Sequence, residues 1–240
     1  MSHLIIMRHG ETQFNVESRF QGQLNNSLNE NGKEQIIRSA TELKKLLSQN
    51  NLVIDKVQVS DLKRAVESYE ILKPHFSEFP EAILTKQLRE KTLGSMEGFT
   101  IREYLNTGAE AKKHYHQHLK DIAYNPKRAK FCEDSESTID VAKRIYSEVE
   151  KLNSSFLSSS DFGNRFWLFH GSAIRYTLDI LQVTHYKKIP KLGNGDILFL
   201  KPMGRSLSSD ISSLAYDLQS NVKWELVEHI KIGNNISANF

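Results

Sequence analysis

The sequence predicts an α/β fold: a three-layer α/β/α sandwich with a mostly parallel central sheet. Two observations support this prediction. Short apolar segments alternate with amphipathic segments of ten or more residues along most of the 240-residue chain. Neither an internal repeat nor a low-complexity tract interrupts the alternation. Strands that alternate with helices of this length typically form a parallel sheet that helices cover.

The first strand is predicted at HLIIM, an uninterrupted apolar run that is closed by Gly10 and is typical of a strand buried on both faces. In the following segment NENGKEQIIRSATELKKLLSQ, apolar residues recur three and four positions apart, which predicts an amphipathic helix. IDKVQVS and DLKRAVESYEILK repeat this order, with Asp61 near the start of the second helix.

The second half of the chain continues the pattern. An apolar stripe predicts a further helix, and it consists of Ala142, Ile145, Val149, Leu152 and Phe156. The segment RFWLF then predicts a strand and GSAIRYTLDILQ a helix, and GDILFL and KWELVEH predict two more strands. We expect one domain over residues 1–240. Within it we expect a polar insertion or lid at about 99–134, because loops of this length are commonly functional.

The bulk composition narrows the classes of partner. The formal net charge is only +3 and the basic residues are dispersed, so we expect no nucleic-acid partner, although an anionic substrate is compatible. Cys132 is the single cysteine, so no intramolecular disulfide forms. Without a signal-peptide pattern or a long apolar run, we expect a cytoplasmic protein with no membrane partner. The oligomeric state stays open, with a homodimer among the options.

Two predicted strands end in a histidine followed by a glycine, His9–Gly10 and His170–Gly171. Because parallel strands end at the same edge of a sheet, we expect the two imidazoles to converge there. Arg8 precedes the first histidine, and Arg64 lies about one turn into the helix after the second strand. Two guanidinium groups fit the oxygens of a tetrahedral dianion, so phosphate is the expected occupant.

Six motifs then occur in a familiar order: RHGETQFN, QGQLNNSLNENGKEQ, SDLKRAVES, LREKTLGSMEGFT, EDSESTIDVAKRI and FHGSAIRY. Together they resemble the histidine phosphatase superfamily, the phosphoglycerate mutase-like proteins with an RHG motif, over nearly the whole chain. The resemblance implies a phosphoglycerate mutase-like fold and a phosphohistidine mechanism that requires no metal and no cofactor.

The resemblance also implies roles for single residues. His9 would be the nucleophile, and Glu90 would be the general acid that later acts as the base. The remaining catalytic residues would be Arg8, Arg64 and His170. The group that binds the substrate would comprise Arg8, Asn15, Gln21, Gly22, Arg64, Glu90, His170 and Gly171.

Elementary chemistry supports these roles. A neutral imidazole is a competent nucleophile near pH 7, and flanking arginines are expected to lower the pKa of His9 and so favour that form. Fixed cationic donors stabilise the charge that spreads over the phosphoryl oxygens in the transition state. We expect the Glu90 carboxyl to be shielded among apolar neighbours.

Three functions agree with these residues. The segments LREKTLGSMEG and FHGSAIR differ from the corresponding mutase segments, and no WRRS-like arginine pair is present, so hydrolysis of phosphomonoesters of a small metabolite is preferred. A cofactor-dependent phosphoglycerate mutase-type phosphotransferase and a non-catalytic phosphate-binding regulatory protein are the alternatives.

Other polar residues are interpreted structurally. Since His114, His116 and His118 lack further ligands, we expect a solvated helix face there and not a metal site. Cys132 lacks the glycine-rich cradle that a thiolate phosphatase needs. For the remaining motif residues a turn or a helix N-terminus is an equally good explanation, and these are Glu97, Gly98, Glu136 and Ser137.

Overall fold

The computed structural model describes residues 2–125, 127–158, 163–183, 192–205 and 222–233. Within these ranges, six strands form one sheet in the order β3-β2-β4-β1-β5-β6. The strands are β1 (Leu4–Arg8), β2 (Ile54–Ser60), β3 (Ala82–Thr85), β4 (Asn164–Phe169), β5 (Ile197–Arg205) and β6 (Val222–Ile230). Strands β1 to β4 pair with one another in parallel. Strand β5 pairs antiparallel with both β1 and β6. The predicted mostly parallel sheet is confirmed.

The helices are α1 (Gln13–Val16), α2 (Glu30–Gln49), α3 (Lys63–Leu72), α4 (Ile101–Asn106), α5 (Ala109–Tyr124), α6 (Thr138–Ser158) and α7 (Gly171–Ile180). Short 3₁₀ helices span Lys73–His75, Lys86–Leu88 and Gly94–Met96. Among the helices that the structure describes, none combines the length and the hydrophobicity that a membrane span requires.

The two hydrophobic cores lie on opposite faces of the sheet, and β1 contributes to both. Its side chains alternate, so Ile5 and Met7 pack with the core of α2 and α3, whereas Leu4 and Ile6 pack with that of α6 and α7. All four side chains are fully buried. Burial on both faces explains why this strand is an unbroken apolar run.

Strand β3 was not predicted from the sequence. It is a four-residue edge strand with the sequence AILT, and its side chains Ile83 and Leu84 are exposed. An edge strand without a buried face has no alternating apolar pattern, so its sequence carries little signal. The other predicted strands and helices are confirmed, and β2 spans all of IDKVQVS.

The polar segment 99–134 contains α4 and α5 and contributes to a third, smaller core. That core consists of Met96, Tyr104, Ala111 and Cys132, with Phe20, Leu93 and Phe131 packed against it. The role of this segment as an insertion or lid in one domain of residues 1–240 stays a prediction.

The expected solvated helix face is wrong for His118. Its side chain is only 3% exposed, its Nδ1 lies 2.8 Å from the Lys130 carbonyl oxygen, and its ring contacts that of Phe131. The residue is buried because it lies two turns after Ala111, on the side of α5 that faces the small core. In the described ranges, no group of three or more His, Cys, Asp or Glu side chains is arranged to hold a metal ion.

Candidate active site

The two predicted histidines lie side by side at the carboxyl edge of the sheet. Arg8 of β1 pairs with Phe169 of β4, so the next residue of each strand lies at the same level. The His9 backbone N–H donates to the Phe169 carbonyl at 3.0 Å, and the ring centroids of His9 and His170 are 5.1 Å apart. The expected convergence of the imidazoles is therefore present in the structure.

His9 is held in one tautomer by the backbone. Its Nδ1 lies 2.6 Å from the Gly10 carbonyl oxygen, which can only accept, so we assign the ring proton to Nδ1. The lone pair then belongs to Nε2. Burial lowers the pKa of His9 well below its usual range, and the positive charges of Arg64 and Arg8 lower it further. The ring is therefore a neutral imidazole whose Nε2 carries the lone pair.

His170 is fully buried and directly follows β4, the strand that lies between β2 and β1. Its Nε2 is 2.8 Å from the Ser60 hydroxyl oxygen, whereas its Nδ1 is buried without a hydrogen-bond partner. Burial lowers the pKa of His170 well below its usual range, and the charge of Arg64 adds to this effect. A second neutral imidazole with one unsatisfied nitrogen therefore adjoins the first.

Arg8 reaches from the end of β1 to the first turn of α7. Its Nη1 donates to the Leu192 carbonyl at 2.6 Å, and its Nε is buried without a partner. A Cβ atom on Gly171 would lie 3.3 Å from this Nε, closer than most real Cβ contacts. Glycine at the start of α7 thus leaves room for the guanidinium group.

Arg64 lies in the first turn of α3 and is 1% exposed. Its two terminal nitrogens donate to the carbonyls of Leu24 and Gly22, each at 2.8 Å, and its Nε has no partner. Burial lowers the pKa of Arg64 to about 10, so the guanidinium remains charged at neutral pH. The carbonyl contacts fix this charge within the site.

The carboxyl group of Glu90 lies against the N-terminus of α7. Its hydrogen-bond partners are backbone N–H groups, so the expectation of apolar neighbours is wrong. Its Oε1 accepts from the backbone N–H groups of Lys91 at 2.8 Å and Ala173 at 3.2 Å, and its Oε2 accepts from that of Ser172 at 3.1 Å. The unpaired N–H groups and the positive end of a helix dipole attract a carboxylate. The half-buried carboxylate is therefore held by backbone donors.

Arg144 of α6 fixes the segment that carries Glu90. Its Nη1 donates to the carbonyls of Gln87 at 2.9 Å and Arg89 at 2.6 Å, and its Nη2 donates to that of Glu90 at 2.9 Å. Its Nε and Nη2 also bind both carboxylate oxygens of Glu136 at 2.9 and 3.1 Å. All five N–H donors of a guanidinium group can be satisfied in this arrangement. Sequence reasoning missed this residue.

Asn15, in α1, and Gln21, in the loop that follows this helix, both contact Thr12. Asn15 Oδ1 accepts from the Thr12 backbone N–H at 3.0 Å, and Gln21 Oε1 accepts from the Thr12 hydroxyl at 2.9 Å. Because both amide oxygens are engaged, the side-chain NH₂ groups are the ends that suit an anion. These residues therefore have an observed structural contact, and their binding role stays a proposal.

Gly22 adopts a left-handed backbone conformation with a φ of 46°. A Cβ atom there would lie 1.9 Å from Glu97 Oε1. That oxygen also accepts from the backbone N–H groups of Gln23 and Leu93, at 3.0 and 2.9 Å. Glu97 thus joins two loops.

A model of the histidine phosphatase superfamily (branch 1) matches residues 4–201. The chain belongs to this superfamily. The resemblance that the six motifs suggested is confirmed.

Known relatives of the chain agree with its membership of this superfamily. The broad-specificity phosphatase of Saccharomyces cerevisiae is 31% identical over 77% of this chain and 72% of its own length. The metal-independent phosphoserine phosphatase of Arabidopsis thaliana is 30% identical over 60% of this chain and 58% of its own length. Several other curated relatives are matched over only about half of their length.

The solved structure of a mycobacterial glucosyl-3-phosphoglycerate phosphatase with VO₃ superposes with a TM-score of 0.65 at 24% identity. The superposition covers 94% of this chain and 97% of that chain. It shows that the two proteins share the phosphoglycerate mutase-like fold.

Sequence reasoning missed two further residues of the candidate site. Ser60 is the last residue of the predicted strand IDKVQVS, so the strand-end argument that pointed to His9 and His170 also applied to it. Asn194 donates through Nδ2 to the His9 carbonyl at 3.0 Å, from a turn that precedes β5. Its only sequence signal is a position between two glycines in GNGD.

Proposed function

We propose that the protein is a metal-independent phosphoric monoester hydrolase that acts on small phosphorylated metabolites through a phosphohistidine on His9. One observation carries this proposal. In the described part of the chain, four buried side-chain nitrogens lack a partner, and three of them are Arg8 Nε, Arg64 Nε and His170 Nδ1. Buried polar atoms without partners are rare, and a phosphoryl group supplies acceptor oxygens for such donors.

In the first step, the lone pair of His9 Nε2 attacks phosphorus, and the ester P–O bond breaks as the P–N bond forms. Glu90 gives a carboxyl proton to the leaving alkoxide oxygen, and the backbone N–H groups of Lys91, Ser172 and Ala173 stabilise the carboxylate that this transfer leaves. The charges of Arg8 and Arg64 lie where negative charge spreads over the phosphoryl oxygens, and this placement lowers the barrier.

In the second step, water attacks the phosphohistidine and gives a proton to the Glu90 carboxylate. The P–N bond breaks, its electron pair returns to His9 Nε2, and inorganic phosphate forms. The enzyme is thereby restored, with Glu90 again protonated. Residues that change between acid and base in two successive steps are a common device in such hydrolyses.

The substrate class rests on the relatives. Their names cite broad specificity and phosphoserine, and the mycobacterial neighbour is named for glucosyl-3-phosphoglycerate. These are phosphorylated small molecules of different size, and their common feature is the phosphomonoester. We therefore propose a small phosphometabolite for this chain as well.

The testing experiment measures phosphate release from a panel of phosphomonoesters by protein treated with a chelator. We expect hydrolysis of at least one ester, its loss in His9→Ala, and its retention in His116→Ala, which removes an exposed histidine of α5. A phosphoenzyme that is labile in acid and stable in base is expected in the wild-type protein.

Four results would overturn parts of the proposal. Activity that survives His9→Ala excludes the nucleophile, and activity that the chelator abolishes excludes metal independence. Transfer of phosphate between positions of phosphoglycerate, dependent on a bisphosphate primer, would indicate the mutase alternative. Phosphate-induced stabilisation without turnover of any ester would indicate the regulatory alternative.

A further inference from the structure

Ser60 is the carboxyl-terminal residue of β2, and its hydroxyl is fully buried beside His170. The hydroxyl oxygen lies 2.8 Å from His170 Nε2, and the Leu62 backbone N–H approaches the same oxygen at 3.4 Å. A serine hydroxyl has one hydrogen and can accept two bonds. The placement of that single hydrogen determines which nitrogen of His170 carries a proton.

The two tautomers of His170 leave different groups unsatisfied. If Nε2 carries the proton, it donates to Ser60, and both the serine hydrogen and the lone pair of Nδ1 lack partners. If Nδ1 carries the proton, the Ser60 hydroxyl donates to Nε2, accepts from Leu62, and leaves only the Nδ1–H group free. Unmade hydrogen bonds of buried groups are costly, so the second tautomer is favoured.

We infer that Ser60 is a positioning residue that fixes His170 in the Nδ1–H tautomer, which makes Nδ1 a hydrogen-bond donor to a phosphoryl oxygen. The same buried nitrogen that lacks a partner is then a donor and not a lone pair. A lone pair at this position would repel the anionic oxygens of the substrate. The link to phosphate rests on the proposed function, whereas the tautomer itself does not.

His9 and His170 then perform opposite tasks with the same ring proton position. In His9 the Gly10 carbonyl accepts a hydrogen bond from Nδ1–H and leaves Nε2 as the nucleophile. In His170 the serine hydroxyl occupies Nε2 and leaves the Nδ1 proton for the substrate. Because burial keeps the pKa of both rings low, neither needs to be charged for its task.

Nitrogen-15 NMR of the ligand-free protein at pH 7 tests the tautomer, with His170→Gln used to assign the resonances. We expect Nδ1 of His170 in the protonated range and Nε2 in the unprotonated range. Ser60→Ala should shift His170 toward the other tautomer or a mixture of both, and Ser60→Thr should keep the wild-type pattern. Thr177→Val, which removes another fully buried hydroxyl, should leave the pattern unchanged.

Calorimetric titration with inorganic phosphate tests the donor. In Ser60→Ala, the loss of one charge-assisted hydrogen bond should raise the Kd for phosphate about tenfold or more. In Ser60→Thr, the Kd should stay closer to the wild-type value. Should Ser60→Ala fail to fold, Ser60→Cys replaces it, because a thiol of similar size is only a weak donor.

Each contrary result has a separate meaning. A wild-type His170 with its proton on Nε2, or an unchanged tautomer in Ser60→Ala, overturns the role of Ser60. A changed tautomer with unchanged phosphate affinity overturns the donor role of Nδ1. Absence of phosphate binding by the wild-type protein overturns the proposed function, while the NMR result on the tautomer stands by itself.

Discussion

The Oε2 atom of Glu90 accepts a hydrogen bond from the backbone N–H of Ser172, 3.1 Å away, at the first turn of the helix that follows His170. The proposed proton donor and the proposed phosphate ligand are thereby joined through one helix end. A rearrangement of α7 would move both groups together. The same contact gives Glu90 a fixed position before any substrate is bound.

Glu90→Gln should slow the hydrolysis of alkyl phosphates by about 10²- to 10⁴-fold, because an amide cannot protonate the leaving oxygen. For esters with a good leaving group, such as p-nitrophenyl phosphate, the rate of the phosphorylation step should fall much less. Single-turnover measurements on both ester types separate the two cases. An equal loss on both esters would contradict the role of Glu90 as the acid.

Arg144→Gln should imitate Glu90→Gln in a weaker form, because the segment that carries Glu90 loses its hydrogen bonds to the guanidinium group. We expect a larger fall in kcat on alkyl phosphates than on p-nitrophenyl phosphate, and little further loss when both substitutions are combined. Arg19→Gln is the matched control, since Arg19 also pairs with a carboxylate, that of Glu103. Additive losses in the double variant would show that Arg144 acts independently of Glu90.

Gly171→Ala should raise KM for phosphomonoesters several-fold, since the new methyl group would crowd Nε of Arg8. The free energy of unfolding should change by less than about 1 kcal/mol, because alanine favours the helix that begins there. Steady-state kinetics and thermal unfolding measure the two effects. An unchanged KM would indicate that the position of the Arg8 guanidinium does not limit binding.

The stability of the fold should decrease in mild acid. His9 and His170 have lowered pKa values in the folded state, whereas histidine in the unfolded chain has a pKa of about 6.5. Below that pH the unfolded chain binds protons that the folded chain does not, so stability present above about pH 6.5 is lost as the pH falls towards the folded pKa. Each residue contributes at most about 1.4 kcal/mol per pH unit.

Chemical denaturation between pH 7 and pH 5 measures this loss. His9→Gln should reduce the slope of the unfolding free energy against pH, and His116→Gln should not, because His116 is exposed on α5. A slope that is equal in His9→Gln and the wild-type protein would be inconsistent with a buried neutral imidazole at position 9.

Much of the fold could be predicted because its strands and helices have strong periodic patterns. β1 is apolar on both faces and β2 alternates, and each pattern follows from what the strand contacts. β3 gave no such signal, since Ile83 and Leu84 face solvent at the edge of the sheet. Burial of His118 was equally hidden, because the small core that covers it is built from distant parts of the chain.

The candidate site was predictable where residues follow strand ends and motifs, as for His9 and His170. Its supporting contacts were less accessible. Arg144 binds the carbonyl of Glu90, 54 positions away in the chain, and no local pattern marks such a pair. The polar surroundings of Glu90 were missed for the same reason, since Ser172 and Ala173 reach it from a helix 82 and 83 positions away.

The position of β1 in the sheet has a consequence for synthesis. Residues 4–8 pair with β4, at residues 164–169, and with β5, at residues 197–205. His9 therefore leaves the ribosome before either neighbouring strand exists. Nascent chains that end before β5 would carry His9 on an unpaired strand edge, which favours aggregation or chaperone binding. Residues 4–8 thus acquire both of their neighbouring strands only after residues 197–205 have been synthesised.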